Sequence, residues 1–336
     1  MGFRVTLWTH PFMNLDSKAF PEAAENHYAI GTRGSHNPAL VRWWNGKMAA
    51  ILDVTNPAAV QWYLGRLEAL KNKYNISSFK FDAGEAFFVP EAAQTFKPMS
   101  SPGVFSKEWA ELAFEADPYV RHQEVRAAWN AQNLPIFVRI FDRWSAWEAV
   151  EGGLETLIPT TLTFGLLGYP FVLPDMIGGN AYADSGFTGG AYPDRELFIR
   201  WLEASALLPA LQFSIAPWLY DEEVTNITRR YTQLHEKYAP TIISLARESV
   251  TTGNPIIRPL WWVAPEDPAA LTISSQFLLG NDVMVAPVLV RGARRRDIYV
   301  LEGEWQDLLR GQKISGPVWL RDYEVHLDEL PIFERA

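Results

Sequence analysis

The chain has 336 residues, 48% hydrophobic and 21% charged, a globular balance that excludes disordered, collagenous and coiled-coil classes. Its 30 Lys and Arg against 39 Asp and Glu give a net charge of −9, with no long basic tract for nucleic acid to grip. Cysteine is absent, which removes disulfides, thiolate zinc sites and thiol nucleophiles and leaves the compartment open. No apolar window approaches the length of a membrane span, and residues 1–8 lack the flanks of a signal peptide.

Taken in chain order, residues 3–8 alternate and break at Thr9-His10-Pro11, as a strand does when it delivers its last residues into a loop. Residues 49–54 form a second apolar run. Thr55 or Asn56 then caps a helix that Pro57 enters and that Val60, Leu64, Leu67, Leu70 and Tyr74 continue. Residues 76–81 read as a strand stopping at Asp82. A helix over 109–132 leads into a strand over 136–141 that stops at Asp142. A shorter helix, an apolar piece at 171–174, a helix over 196–208, an extended 211–215, a helix over 221–249 and an extended 255–262 follow. About seven strands alternating with helices, with polar residues at strand carboxyl ends, predict an α/β fold of the (β/α)8 TIM-barrel type. A closed barrel needs one more strand, so the expectation is a barrel over 1–265 lacking its first strand and preceded by a missing amino-terminal region. Short strand-like pieces after Gln276 predict a small antiparallel β domain over 266–336.

Asp82 and Asp142, sixty positions apart, each end an apolar strand where a barrel opens its pocket. Glycoside hydrolysis uses two such carboxyls, one ionised and one protonated; the structural alternative for each is a loop carboxylate or a helix cap. In Lys80-Phe-Asp-Ala-Gly-Glu85, Lys80 shares a strand face with Asp82 by period two, so its ammonium is placed to keep the carboxylate ionised and to reach a sugar hydroxyl. Gly84 permits a tight turn.

That word resembles the nucleophile motif Lys-x-Asp-x-Gly-Glu of glycoside hydrolase family 31. Further matches are His10-Pro11-Phe12, Asp53-Val-Thr-Asn-Pro57, Asp175-Met-Ile-Gly-Gly179, Glu196-Leu-x-x-Arg200-Trp201 and Leu279-Gly-Asn-Asp-Val-Met-Val-Ala-Pro287, so the resemblance covers nearly the whole chain. It implies retention of configuration through a covalent intermediate, with Asp82 as nucleophile and Asp142 as acid/base. Two departures stand out. The His-Trp-x-Gly-Asp segment that carries the acid/base in most of the family is missing, and Gln212-Phe-Ser214 replaces its Arg-x-His. Asp142 is assigned on the Phe-Asp-Arg wording of one branch, which is associated with α-galactosides.

Trp8 and Trp44 lie near strand or loop ends, where a ring serves either as sugar platform or as core; Trp43, next to Trp44, is expected to point elsewhere. Arg139 is placed either to bind a hydroxyl or steady Asp142, or to face the surrounding helices, with Arg143 as the competing donor. Asp175 and Trp218 match family pocket positions, although Asp175 could equally brace the Gly178-Gly179 turn. Glu85 is expected to support a partner and not to react. The six histidines show no metal-ligand grouping, Gly178-Gly179 and Gly189-Gly190 are turn signals only, and there is no Gly-x-Ser-x-Gly elbow. Asn75-Ile-Ser77 and Asn226-Ile-Thr228 meet the glycosylation rule and admit a secretory location, the endoplasmic reticulum lumen if the relatives are a guide. The reading is a retaining α-glycosidase acting on a small α-linked galactoside or glucoside, without a cofactor, a nucleic-acid partner or a membrane segment. The alternative is a carbohydrate-binding or truncated relative that does not catalyse.

Overall fold

Residues 2–35, 37–119, 122–181 and 192–336 are described by the computed structural model, and the chain falls into two units, 1–139 and 140–336. Gly189, Gly190 and His36 lie outside the described residues. The first unit carries β1 (Thr6–Thr9), β2 (Phe12–Asn14), α1 (Ala19–Glu25), β3 (Gly31–Thr32), β4 (Leu40–Trp43), β5 (Gly46–Ile51) and α2 (Pro57–Tyr74). After these come β6 (Ser78–Phe81), β7 (Ala93–Gln94), α3 (Gly103–Ala116), β8 (Glu124–Val125) and β9 (Phe137–Arg139). Strands β1, β6, β8 and β9 lie side by side and parallel in that order.

The local chemistry explains the boundaries. Asn56 is the cap of α2, its side chain accepting from the Ala58 N–H, and Pro57 opens the helix; Asn75 closes it in the left-handed region. Strand β6 buries Phe79 and Phe81, and Phe81 meets the ring of Trp109 on α3 edge-on at 5.4 Å.

Two sequence expectations fail here. The helix expected over 109–132 stops at Ala116, because Pro118 follows and the residue before a proline is pushed out of helical geometry; Asp117 has φ −149° and ψ 64°. The chain then forms β8, a parallel strand inside what was read as helix. The apolar run at 49–54 is not a barrel strand either, for β5 pairs antiparallel with β2 and β4 in a separate three-stranded sheet.

The second unit contains α4 (Leu157–Leu166), β10 (Val172–Leu173), α5 (Arg195–Ser205), α6 (Glu222–Thr252), β11 (Ile257–Arg258), β12 (Phe277–Leu279), β13 (Val283–Val285), β14 (Arg295–Asp307), β15 (Lys313–Glu324) and β16 (Ile332–Arg335). Strands β11 to β16 form an antiparallel sheet in the order β11-β12-β13-β16-β14-β15. Of the extended stretch expected at 211–215, a single parallel bridge is formed, between Gln212 and Met176. Of 255–262, Ile257 and Arg258 are strand and pair antiparallel with β12, while Leu260–Trp262 turns into a short 3-10 helix. Helix α5 is buried along nearly its full length, and Phe198, Trp201 and Leu202 enter one core with α6 residues such as Val224 and Tyr231. Among the described residues no helix is long and apolar enough to cross a membrane.

Candidate active site

Strand register builds the site. Trp8 and Thr9 pair with Lys80 and Phe81, these pair with Glu124 and Val125, and Glu124 and Val125 pair with Phe137 and Val138. One residue further along each strand, Asp82, Arg126 and Arg139 therefore stand in one row at the carboxyl ends, where an α/β barrel displays its reactive groups. Period two puts Lys80 on the face of Asp82 and Glu124 on that of Arg126.

Asp82 is the hub of this row. The Trp8 indole donates to its Oδ2 at 2.8 Å, while Arg126 Nη1 and Arg139 Nη2 lie 3.2 and 3.3 Å from its Oδ1. Burial is the largest single influence and works against ionisation, yet Arg126, the Trp8 indole, Arg139 and Lys80 together outweigh it and hold the carboxyl below the usual carboxylate range. The role expected of Lys80 is thus shared, with Arg126 first, then the Trp8 indole and Arg139. Lys80 Nζ sits 3.2 Å from Glu124 Oε1 instead, and its influence on Asp82 is the weakest of the four. Arg139 does not face the helices: it is buried and aimed at Asp82. Glu85 supports a partner as expected, accepting from Arg126 Nε at 2.5 Å.

The turn after Asp82 is strained and tightly backed. Ala83 has φ 58° and Gly84 φ 90°, and a Cβ at position 84 would fall 2.1 Å from Trp109 Cδ1. Ser106 on α3 donates to the Gly84 carbonyl at 2.7 Å. A left-handed alanine costs about 1–2 kcal/mol, so the surroundings over-determine this backbone.

Beside the carboxylate stands an aromatic wall. Trp8 is 44% exposed and Trp44 71%, their rings perpendicular with centroids 6.3 Å apart, whereas Trp43 is buried and donates to Asn14 Oδ1. Exposed rings next to a charged polar cluster suit the apolar face of a sugar. His10 packs against both Trp8 and Trp43, and burial pulls its pKa down to about 4 despite the nearby Asp82 charge. It is neutral at physiological pH, its Nδ1 accepting from the Phe12 N–H.

In the second unit, Asp142 is part-buried and follows Ile140, whose N–H donates to the Leu173 carbonyl. Asp175 is fully buried with φ 67°, and its Oδ2 accepts from the Arg143 N–H at 2.8 Å. The Arg143 guanidinium donates to Thr160 Oγ1 at 2.8 Å. Trp218 is 73% exposed on a single 3-10 turn, Pro217–Leu219.

Sequence reasoning missed Arg126 and Glu124. The signal in the sequence was Pro118, which ends the helix before them.

Strand-end carboxylate, arginine row and aromatic wall stand in a chain whose residues 1–245 match the family model for the TIM-barrel domain of glycosyl hydrolases family 31, with 253–336 matching that family's C-terminal domain. The chain belongs to glycosyl hydrolase family 31. The branch whose wording its motifs share is that of myogenesis-regulating glycosidase: over 338 residues the chain is 47% identical to the Mus musculus protein, covering all of this chain and 46% of that one. It is 34% identical to the SITS-binding protein of Tetronarce californica over 99% of this chain and 48% of that one. Among solved structures, the Flavobacterium johnsoniae family 31 dextranase complexed with glucose is similar with a TM-score of 0.86 at 24% identity, over 99% of this chain and 43% of that one. That likeness shows the fold. The chain spans about half the length of the curated relatives it matches.

Proposed function

We propose that the chain carries the catalytic centre of a retaining α-glycosidase acting on a small α-linked galactoside or glucoside. Asp82 attacks the anomeric carbon as the glycosidic bond breaks, and protonated Asp142 gives its proton to the departing oxygen. The resulting glycosyl ester is then opened by water, whose proton Asp142 takes, restoring both carboxyls. The observation that carries this reading is the state of Asp82: a strand-end carboxylate kept ionised by two arginines and an indole, inside the nucleophile word of a family 31 chain.

Trp8 and Trp44 supply the platform, and Asp175 and Trp218 are further sugar contacts in this reading. The Gln212-Phe-Ser214 segment, in place of the family's Arg-x-His, favours a galactoside over a glucoside. A screen of aryl α-galactoside, α-glucoside and α-xyloside with the full-length protein tests the proposal. Turnover of the galactoside above the other two, abolished by Asp82→Asn, is expected; near-normal rates for that variant would eliminate the assigned role.

A further inference from the structure

We infer that Arg126 is the positioning residue of the attacking carboxylate: anchored on Glu85, its guanidinium fixes Asp82 in orientation and in charge. The inference rests on Asp82 being the nucleophile. Two different nitrogens of one planar group are engaged, Nε with Glu85 Oε1 at 2.5 Å and Nη1 with Asp82 Oδ1 at 3.2 Å. A guanidinium held at two corners cannot rotate, so it aims the carboxylate as well as neutralising it, which a lysine cannot do. The three side chains are only 13%, 11% and 18% exposed, so the pairing acts in a medium where it is stronger than at a wet surface.

The other cations of the cluster are placed differently. Lys80 is paired with Glu124, and Arg139 reaches Asp82 from the neighbouring strand β9 with Nη2 at 3.3 Å. Glu85 lies beyond the strained Ala83-Gly84 turn, so its pairing with Arg126 ties that turn to the end of β8. The arrangement also suits the reaction. When Asp82 forms its bond to the anomeric carbon it gives up its charge to an ester, the electron pair of the broken glycosidic bond leaving with the protonated oxygen. Arg126 then still has Glu85, and Arg139 still has Glu124 at 4.0 Å, so neither guanidinium loses its last carboxylate at the intermediate.

The test measures hydrolysis of 4-nitrophenyl α-D-galactopyranoside, or the α-glucoside if that is turned over faster, across pH with the full-length protein. Arg126→Met is expected to lower kcat by about a hundredfold with KM little changed. It should also move the acid limb of kcat/KM, which reports the free carboxyl, upward by about one pH unit. Arg126→Lys should restore the limb but not the full kcat. Glu85→Gln should cost about tenfold in the natural protein and less than twofold in the Arg126→Met background, because its effect passes through Arg126. An unmoved acid limb in Arg126→Met, with activity either intact or falling only in step with Tm, would overturn the inference, as would additive losses in the double variant. Activity surviving in Asp82→Asn, or no turnover of either glycoside by the natural protein, would instead remove the nucleophile reading.

Discussion

Each unit holds a cluster of arginine and carboxylate, and the two come out with opposite charge behaviour. Around Asp82 in the first unit, two guanidiniums, an indole and a more distant ammonium surround a carboxyl that keeps some solvent contact, and the carboxyl is pulled below its ordinary range. On α5 in the second unit, Arg200 and Glu203 are both without exposure and 2.9 Å apart. An ion pair this close ordinarily favours the carboxylate, but burial outweighs Arg200 and pushes Glu203 up to about 8. Arg200 also donates to the carbonyls of Glu329, Ala293 and Val325, tying α5 to the loops that flank the β14–β15 hairpin. Under the proposed function, the comparison separates a cluster kept for chemistry from a pair kept for architecture. Several cations and partial exposure keep a carboxylate reactive, whereas one cation in a sealed core leaves a group that serves packing.

That distinction is open to attack from several sides. The largest effect expected is from Asp82→Asn, a loss of about 10⁴-fold in kcat/KM for the protein that remains folded, read by steady-state kinetics beside a thermal melt. Arg200→Met should do the reverse. Removing the guanidinium strips the hydrogen bonds from Glu203 and from the carbonyls of Glu329, Ala293 and Val325, at about 1–3 kcal/mol for each buried acceptor left unsatisfied, measured by denaturant unfolding, while the protein that remains folded keeps its kcat. If Arg200→Met altered kcat instead, the division between chemistry and architecture would be wrong.

Gly84→Ala should cost about 2–4 kcal/mol, because the new methyl meets Trp109 in a backbone region that alanine resists. It should also reduce activity by displacing Asp82. The pH dependence should be opposite in sign for the two units. His10 is neutral in the fold down to about 4 but protonates near 6.5 when unfolded, so its contribution to stability is lost as pH falls from 6.5 toward 4. Glu203 binds its proton more tightly folded than unfolded, so its contribution is lost as pH rises from 4.5 toward 8. Melts across pH should show the alkaline slope flattened by Glu203→Gln and the acid slope flattened by His10→Asn. The smallest expected effect is that of Asn56→Ala, about 1 kcal/mol for the lost cap of α2, with no change in kinetics.

The parts of the site that could be read from sequence are those whose position follows from one element. Asp82 ends an apolar strand, Gly84 must turn, and Trp8 lies two residues before His10-Pro11, so all three were legible. Arg126 was not, because β8 is two residues long and carries no apolar run of its own; only the break at Pro118 betrays that the helix has ended. The ion pair of Lys80 with Glu124 was not legible for a related reason. Period two correctly puts Lys80 on the face of Asp82, but the register that brings Glu124 opposite it is a property of two strands. The run at 49–54 shows the same limit: apolar content marks a strand without saying which sheet it joins.

The central claim is that Asp82 forms a covalent bond to sugar, and a fluorinated activated α-galactoside that traps such an ester tests it most directly. Incubation of the full-length protein followed by proteolysis and mass spectrometry should find one fluoroglycosyl group on the peptide containing Asp82. A label on any other carboxylate, or turnover with inverted configuration and no label at all, would contradict the account.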